Sequence, residues 1–291
     1  MALSSANSAE LTADQVRAVL VQPLEAKSVF LSAGPQIVDT AGPLVLPKGG
    51  APTTPAWYGQ NEQISDDDPD FDEITLLPTT MKSVKVLTRF SNELARQSVV
   101  ALDAALKARL VKDVADVVDA QLLSASTGAS GTLPRGLFAY ATQGPAAVGA
   151  LGFDDLMDAE ALALGGNVNV EALKWVMTSR EFTALRKIKA GTGSNQYAVQ
   201  PDLSKGVGYT LLGHPIVITN RVQDTTGTPD TGNLALVDFS QIVVARDLAP
   251  SVKILDQTFG DFDQQAIRVV ARYDAAPLND EAVIKITGIT I

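Results

Sequence analysis

The sequence predicts an α+β fold, and three observations support this class. The stretch Ser91–Ser124 lacks Gly and Pro and is rich in Ala, Leu, Lys, Arg and Asp, which indicates one long helix. Side chains alternate between apolar and polar over 82–90 and again over 265–273, which indicates long strands. Helices and strands are interspersed without a regular strand-helix-strand repeat, so a doubly wound sheet is disfavoured.

The predicted helix has features of an element packed on two sides. Ser91 is a plausible N-cap and Gly128 lies just past the end. The second apolar stripe is rich in Ala, which argues against the single seam of a coiled coil. We therefore interpret the helix as a spine for the fold. One stripe holds Val99, Leu102, Leu106, Leu110, Val114 and Val117, the other holds Val100, Ala104, Val111, Ala115, Val118 and Leu122, and a narrow charged strip holds Arg109, Lys112, Asp116 and Asp119.

Composition excludes several classes of function. The chain has 291 residues, a net charge of −10, no cysteine and a single histidine, His214. Disulfides, thiolate metal sites, cysteine nucleophiles and multi-histidine metal sites are therefore excluded, as is most histidine-based catalysis. No basic footprint for nucleic acid is visible, and no apolar run approaches the roughly 20 residues of a membrane span. The sequence thus predicts no membrane segment, no signal peptide, no cofactor, no metal site and no catalytic residues.

The N-terminal region is predicted to be an arm. A capping-box pattern at 12–15 precedes Val16, Val19 and Leu20 and predicts a short helix, which Pro23 ends. The following residues, 29–47, contain three prolines and are expected to form extended segments with an edge strand. Because such an arm has little core of its own, we expect something else to hold it.

The segment 48–80 is predicted to be a long hairpin-like loop. It contains an acidic run, and its last part, 74–77, is predicted to be a strand that Pro78 stops. The acidic run lacks the spacing of a calcium loop, which favours a solvated or inter-subunit tip. Its apolar side chains either fold back on the body or meet another subunit. The candidate interface residues are Trp57, Tyr58, Asp66, Asp67, Asp68, Asp70, Phe71, Asp72 and Glu73.

The remainder of the chain is predicted from local signals. A turn is expected at 133–138 after the long helix, and a capping box at 178–181 opens a helix that runs to about Lys189. His214 is expected in a Gly-His-Pro turn between two short strands. Further elements are a helix over 153–164, a buried strand over 173–177, a strand pair formed by 234–239 and 241–246, and strands over 252–255, 265–273 and 283–291.

Six motifs in this order resemble the major capsid proteins of tailed bacteriophages, a fold shared with encapsulin shells. The resemblance runs over most of the chain, and no single motif is specific. It rests on Ala56-Trp57 with the acidic run 66–73, on 91–98 at the start of the long helix, on Leu133-Pro-Arg-Gly-Leu137, on Met177-Thr-Ser-Arg-Glu-Phe182, on Leu212-Gly-His-Pro-Ile-Val217 and on Asp238-Phe239.

The resemblance implies a tailed-phage capsid fold with two body domains. The arm would span 1–47 and the extended loop 48–80. The peripheral domain would comprise 81–140, with the spine helix at 91–124, and return strands at 258–291. The axial domain would be 141–257.

The resemblance also implies a structural subunit of an icosahedral shell. Pentamers and hexamers would enclose packaged double-stranded DNA without sequence-specific binding, and the shell would form in the host cytoplasm and end in the virion. A separate scaffolding protein, a portal and a decoration protein are the implied partners. Some family members form a lysine–asparagine crosslink, but 49–81 holds no lysine and 260–265 holds no asparagine, so we expect none here.

Two alternatives stay open at the level of sequence. An encapsulin-type compartment shell shares the fold and would need an inner groove for cargo peptides. A soluble α+β binding protein or hydrolase is the alternative from a different class, and carboxylate pairs such as Asp154 and Asp158 would then be the acid and base. A shell subunit predicts large symmetric assemblies, whereas the other class predicts a monomer or small oligomer with a pocket.

Overall fold

The computed structural model describes residues 24, 27–49, 56–64, 71–93, 102–128, 131–166, 168–189, 209–224, 231–247, 251–255 and 260–290. The helix predicted at 12–20, the first part of the predicted spine helix at 94–101 and the acidic residues 66–70 lie outside the described residues.

The helices with defined bounds in the described part of the chain are α1 (Val29–Ser32), α2 (Leu102–Leu122), α3 (Leu137–Tyr140), α4 (Phe153–Gly165) and α5 (Ser179–Lys187). Its strands are β1 (Gln36–Thr40), β2 (Leu44–Gly49), β3 (Phe71–Leu76), β4 (Val84–Ser91), β5 (Thr142–Gln143), β6 (Leu173–Met177), β7 (Thr210–Leu211), β8 (His214–Ile218), β9 (Thr231–Asp238), β10 (Ile242–Asp247), β11 (Ser251–Leu255), β12 (Gln264–Ala271), β13 (Tyr273–Pro277) and β14 (Val283–Thr290). The α+β class is confirmed.

The long helix α2 is the spine of the main core. Side chains from both predicted stripes are buried and form one broad face, which packs on β4, β13 and α1. Two assignments were wrong. Val117 is 52% exposed although it was placed on an apolar stripe, and Asp119 is only 2% exposed although it was placed on the charged strip. Asp119 is buried because the N-terminal segment covers it and directs hydrogen-bond donors at it.

A three-stranded antiparallel sheet, in the order β11-β12-β4, lies against α2. The alternation predicted for 82–90 is confirmed, since every second residue of β4 faces the core and the others are exposed. Across the ladder, Arg268 of β12 is opposite both Leu87 of β4 and Lys253 of β11. One long strand had been predicted over 265–273, but it ends at Ala271, and β13 joins another sheet.

A six-stranded sheet in the order β5-β14-β9-β6-β8-β7 carries a second core around Trp175. The predicted pairing of 234–239 with 241–246 is wrong, because β9 pairs with β6 and β14 whereas β10 pairs with β1 and β13. A 3-10 turn over Phe239–Gln241 separates the two strands. The Asp238 carboxylate accepts hydrogen bonds from the Ser240 amide and the Gln241 side chain and so holds this turn.

The C-terminal strands lie in three different sheets. Only β12 pairs with β4, whereas β13 pairs with β10 and β14 pairs with β9. The strand β14 joins the six-stranded sheet because Ile284, Ile286 and Ile289 are buried in the core around Trp175. The burial of apolar side chains against distant parts of the sequence therefore determines which sheet the last strand joins.

The described part of the predicted N-terminal arm, 27–47, packs on the body of its own chain. Phe30 and Leu31 of α1 are buried in the main core, as is Leu24. The strand β1 is an edge strand, as predicted, and runs parallel to β10. The guanidinium of Arg246 on β10 pairs with both carboxylate oxygens of Asp39 on β1, with Nη2 2.8 Å from Oδ2.

One local prediction is confirmed in detail. Thr178 caps α5 and forms a capping box with Glu181, whose carboxylate accepts from the Thr178 amide at 2.9 Å. The turn predicted at Gly-His-Pro lies instead at Leu212 and Gly213, and His214 and Pro215 belong to β8, where they pair with β7. No helix of the described residues is long and apolar enough to cross a bilayer.

Candidate subunit interface

The stem of the predicted extended loop is an antiparallel strand pair that packs on its own body. The strands β2 and β3 pair from Leu44↔Leu76 at the base to Gly49↔Phe71 at the outer end. Leu76 and Leu77 are buried in a cluster with side chains of β10 and β13. The question left open by the sequence is thus resolved for these two residues, which fold back on the body.

A buried carboxylate fixes the base of this loop. Asp274 is 4% exposed and accepts hydrogen bonds from the amides of Leu77, at 2.9 Å, and Ala275, at 3.0 Å. Leu77 has a φ of 51°, in the left-handed region that a non-glycine residue adopts only where its surroundings impose it. Nearby, the Arg272 guanidinium donates to the carbonyl of Pro78. Burial raises the pKa of Asp274 to about 6, opposed by these amides and by Arg272.

The outer end of the stem is held by an ion pair. Lys48, at the end of β2, pairs with Asp280, which lies in the 3-10 turn that follows β13. The stem therefore lies along β13, with its base at Asp274 and its outer end at Asp280.

Beyond the stem, the described part of the loop presents apolar side chains to solvent. Trp57 is fully exposed and Ile64 is 73% exposed, while Tyr58 is half-buried. A turn connects them, in which the Glu62 carboxylate accepts from the Gly59 amide at 2.7 Å. An exposed Trp on a held loop is typical of a side chain that anchors a contact with another molecule.

The acidic candidates divide into described and undescribed residues. Asp66, Asp67, Asp68 and Asp70 lie outside the described residues. Phe71, Asp72 and Glu73 begin β3, and the side chain of Glu73 is exposed. The structure thus brings Phe71, Asp72 and Glu73 to the outer end of the stem.

The residues considered for catalysis lie apart from this loop. Asp154 and Asp158 are both exposed on α4. The Nε2 atom of His214 is buried 3.4 Å from Oε1 of Glu160 on the same helix, so His214 has a partner that sequence spacing did not indicate. Among the described residues, no group of three or more His, Cys, Asp or Glu side chains is placed to hold a metal ion.

A cleft of about 680 Å³ lies between the C-terminal part of α2 and the loop at 220–223. Its wall includes Val117 and Leu133, and its charged lining side chains are Lys82, Arg221 and Arg272. Arg221 pairs with Asp116 of α2 at 2.7 Å. The cleft therefore combines apolar walls with basic side chains.

Sequence reasoning missed the residues that attach the N-terminal segment to the spine. Asp119 accepts hydrogen bonds from the hydroxyl of Ser28 and from the amides of Val29, at 2.7 Å, and Phe30, at 3.3 Å. Ser28 is itself the N-cap of α1. Burial raises the pKa of Asp119, and the hydrogen bonds oppose that rise. The available signal was Ser28 ahead of an apolar run, which fits an N-cap, but nothing in the sequence indicated its partner.

These features are those of a structural protein whose loop is fixed at its stem and presents an exposed tryptophan. Comparison with known proteins identifies the family. Residues 10–288 match the Phage capsid family, and the chain belongs to that family. It is a structural capsid subunit.

Similarity to individual proteins agrees with this assignment. The major capsid protein of Klebsiella oxytoca phage phiKO2 is 22% identical over 313 residues, covering 99% of this chain and 71% of the relative. The capsid of a native GTA particle, computed with C5 symmetry, is 17% identical and superposes with a TM-score of 0.71 over 90% of both chains. A chain from Mycobacterium phage Adephagia is 17% identical, with a TM-score of 0.70 over 91% of this chain and 90% of the other. These superpositions establish the capsid fold.

Proposed function

We propose that this chain forms the icosahedral shell of a tailed phage, as pentamers and hexamers that enclose double-stranded DNA without reading its sequence. One observation carries the proposal beyond the family assignment. The loop that holds Trp57 is fixed at its stem by Asp274 and Lys48, yet Trp57 itself is fully exposed and not covered by the described residues. In a closed symmetric shell, a neighbouring copy of the chain would cover the Trp57 side chain.

The extended loop is the proposed interface. Trp57 and Tyr58 supply the apolar contact, and the acidic run 66–73 supplies the charge. The similarity to a capsid computed with C5 symmetry supports a five-fold arrangement for some of the copies. The role proposed here is structural, with no catalytic step.

The proposed domain division keeps the bounds that the resemblance implies: 1–47 form the N-terminal arm, 48–80 the extended loop, 81–140 with the return strands of 258–291 the peripheral domain, and 141–257 the axial domain. The pairing of β12 with β4 supports the place of that return strand in the peripheral domain. The last strand, β14, pairs with β9 in the six-stranded sheet. The described part of the arm is fastened to the body through Asp119 and Arg246.

Further partners are proposed from the family. A separate scaffolding protein guides assembly in the host cytoplasm, a portal occupies one vertex, and a decoration protein or non-covalent contacts stabilise the virion shell. No autocatalytic crosslink forms, because 49–81 contains no lysine and 260–265 no asparagine. Intact masses of denatured mature particles test this point, and covalent multimers would contradict it.

Negative-stain electron microscopy and light scattering of the full chain test the proposal. Closed shells or free pentamers and hexamers, formed alone or with a co-expressed candidate scaffold, are the expected result. A chain that stays monomeric in the presence of the scaffold would contradict it and favour the soluble binding protein or hydrolase.

A further inference from the structure

The helix α4 exposes a face that is both apolar and acidic, while its opposite side is buried in the core around Trp175. Met157, Ala161 and Leu164 follow one another at helical spacing on the exposed face. Met157 is 52% exposed and Leu164 is 54% exposed. Large apolar side chains that adjoin one another at the surface are typical of a face that contacts another molecule. The neighbouring stripe of the same face holds Asp154, Asp158 and Leu162.

The charge on α4 has one sign, since the helix contains four carboxylates and neither Lys nor Arg. Two of the carboxylates have roles within the chain. Asp155 caps the start of the helix, and Oε1 of Glu160 lies 3.4 Å from Nε2 of His214. The other two, Asp154 and Asp158, are exposed beside the apolar stripe. A partner that fits this face is therefore apolar and positively charged.

The cleft beside the spine helix has this complementary character. Among the described residues that line it, none is Asp or Glu, and Lys82, Arg221 and Arg272 carry positive charge. Carboxylates from outside the lining hold the two arginines, since Arg221 pairs with Asp116 at 2.7 Å and Arg272 lies 3.6 Å from Asp247. These guanidinium groups are thus positioned before a partner binds, which lowers the cost of ordering them.

Apolar side chains in the cleft are accessible to a partner. Val117 on α2 is 52% exposed and Leu133 is 37% exposed. Val117 continues an apolar stripe of α2, yet the described residues leave half of it uncovered, which fits a side chain that a partner buries. The cleft volume of about 680 Å³ lies within the roughly 300–1,000 Å³ of ligand pockets and accommodates several side chains from one edge of a helix.

Contact between these two surfaces requires two molecules, because no residue of α4 lines the cleft of its own chain. Pairing α4 with α4 of a second copy would bring the carboxylates of Asp154 and Asp158 close to their own counterparts, and like charges across an interface oppose binding. Two clefts cannot fill each other, since both are concave. The match of helix with cleft satisfies both charge and shape.

We propose that the exposed face of α4 docks into the cleft of a second copy of this chain. Its apolar stripe packs on Val117 and Leu133, and its carboxylates lie toward Lys82 and Arg221. The contact is heterologous, since it joins two different surfaces, and such contacts generate a ring where the rotation closes. The inference rests on the proposed function and adds an interface that is separate from the extended loop.

Charge reversal at exposed positions tests the contact in the full chain. The cleft variant is Lys82→Glu with Gln223→Glu, which leaves Arg221 and its ion pair in place, and the helix variant is Asp158→Lys with Ala161→Lys. Each variant alone places like charges in contact, so the protein concentration required for assembly at about 0.1 M salt rises roughly tenfold or more. The two variants change the net charge by equal and opposite amounts. A chain with all four substitutions is therefore complementary again and regains assembly.

A matched control separates this contact from the effect of net charge. Lys112→Glu with Lys187→Gln changes the charge by the same amount as the cleft variant, at exposed positions of α2 and α5 that do not line the cleft. This control is expected to assemble as the unmodified chain does. Circular dichroism and thermal unfolding of each variant verify that it folds.

The outcomes separate this inference from the proposed function. If the unmodified chain does not assemble even with a candidate scaffold, the proposed function fails and the inference fails with it. If it assembles and a folded cleft variant assembles equally well, only the docking inference is overturned. Weak assembly of the cleft variant beside normal assembly of the helix variant would also overturn it, by assigning the cleft to another partner such as the scaffold. Failure of the folded fourfold variant to regain assembly would contradict the pairing of these two surfaces.

Discussion

The hydroxyl of Ser28 donates a hydrogen bond to Oδ1 of Asp119, and this contact fastens the N-terminal segment to the spine helix. The same carboxylate accepts from two amides at the start of α1. A carboxylate at a helix N-terminus satisfies amides that have no partner within the helix. Asp119 thus makes the first described residues of the chain part of the core.

Replacing Asp119 by Ala is expected to lower the free energy of unfolding by roughly 2–3 kcal/mol, because the half-buried amide of Val29 and the buried amide of Phe30 lose their acceptor. Urea unfolding measures the loss. The control is Asp116→Ala, which removes a more exposed ion pair with Arg221 on the same helix and should cost less than about 1 kcal/mol. Equal losses for the two variants would contradict the role given to Asp119.

The buried carboxylate at the base of the extended loop predicts a dependence of stability on pH. The pKa of Asp274 is about 6 in the folded protein, whereas its ordinary value is 3.8. At a pH between these two values, the folded state therefore binds more protons than the unfolded state. The contribution of Asp274 to stability therefore falls as pH rises from about 4 to about 7, by up to about 3 kcal/mol.

An Asp274→Asn variant should lack the pH-dependent contribution of Asp274 to stability. From pH 4.5 to pH 7.5 its unfolding free energy, measured in urea, should fall by less, or rise by more, than that of the unmodified chain. The comparison isolates Asp274 from the other carboxylates, which titrate in both proteins. The same pH difference in both proteins would show that Asp274 keeps its ordinary pKa.

Local patterns predicted the elements well, for physical reasons that particular residues show. The alternation around Val86 and Lys85 identified β4, because a strand with one buried face has a period of two. The capping box of Thr178 and Glu181 placed the start of α5, because its hydrogen bonds join residues close in sequence. Such signals need no knowledge of distant contacts.

Long-range relations were not predictable in the same way. Nothing near Asp119 distinguishes it from Asp116 on the same helix, since its burial depends on residues 28–30. The partner of β14 is chosen by the core around Trp175, which assembles from separate parts of the chain. In the loop, Leu76 and Trp57 are both apolar in a polar segment, and only the tertiary structure separates the buried side chain from the exposed one.

The turn after the spine helix predicts a steric requirement at Gly136. A Cβ atom added there would overlap the carbonyl oxygen of Ser124, which lies at the end of the long helix. Its φ of −74° is ordinary, so the constraint is space and not backbone conformation. Gly136→Ala is expected to cost roughly 1–3 kcal/mol in unfolding free energy.

The matched control for Gly136 is Gly165→Ala at the end of α4. No atom lies within 4 Å of the Cβ position at Gly165, so Ala should be neutral or slightly stabilising there. Thermal unfolding of both variants checks the prediction. A Gly136→Ala variant as stable as the Gly165→Ala variant would mean that the turn relaxes without cost.

The exposed and buried apolar residues of the extended loop predict opposite effects. Trp57→Ala should change the unfolding free energy by no more than about 0.5 kcal/mol relative to the unmodified chain, since Trp57 is fully exposed. Because Trp57 is the proposed anchor of the contact, the same variant should raise the protein concentration required for assembly by roughly thirtyfold. Leu76→Ala should instead cost about 2–5 kcal/mol of stability through the cavity it leaves. Sedimentation velocity and urea unfolding of both variants measure the two effects. If a folded Trp57→Ala variant assembles as the unmodified chain does, Trp57 does not take part in the interface. Assembly can change without a change in stability only where a side chain is buried by a neighbouring copy and not by its own chain.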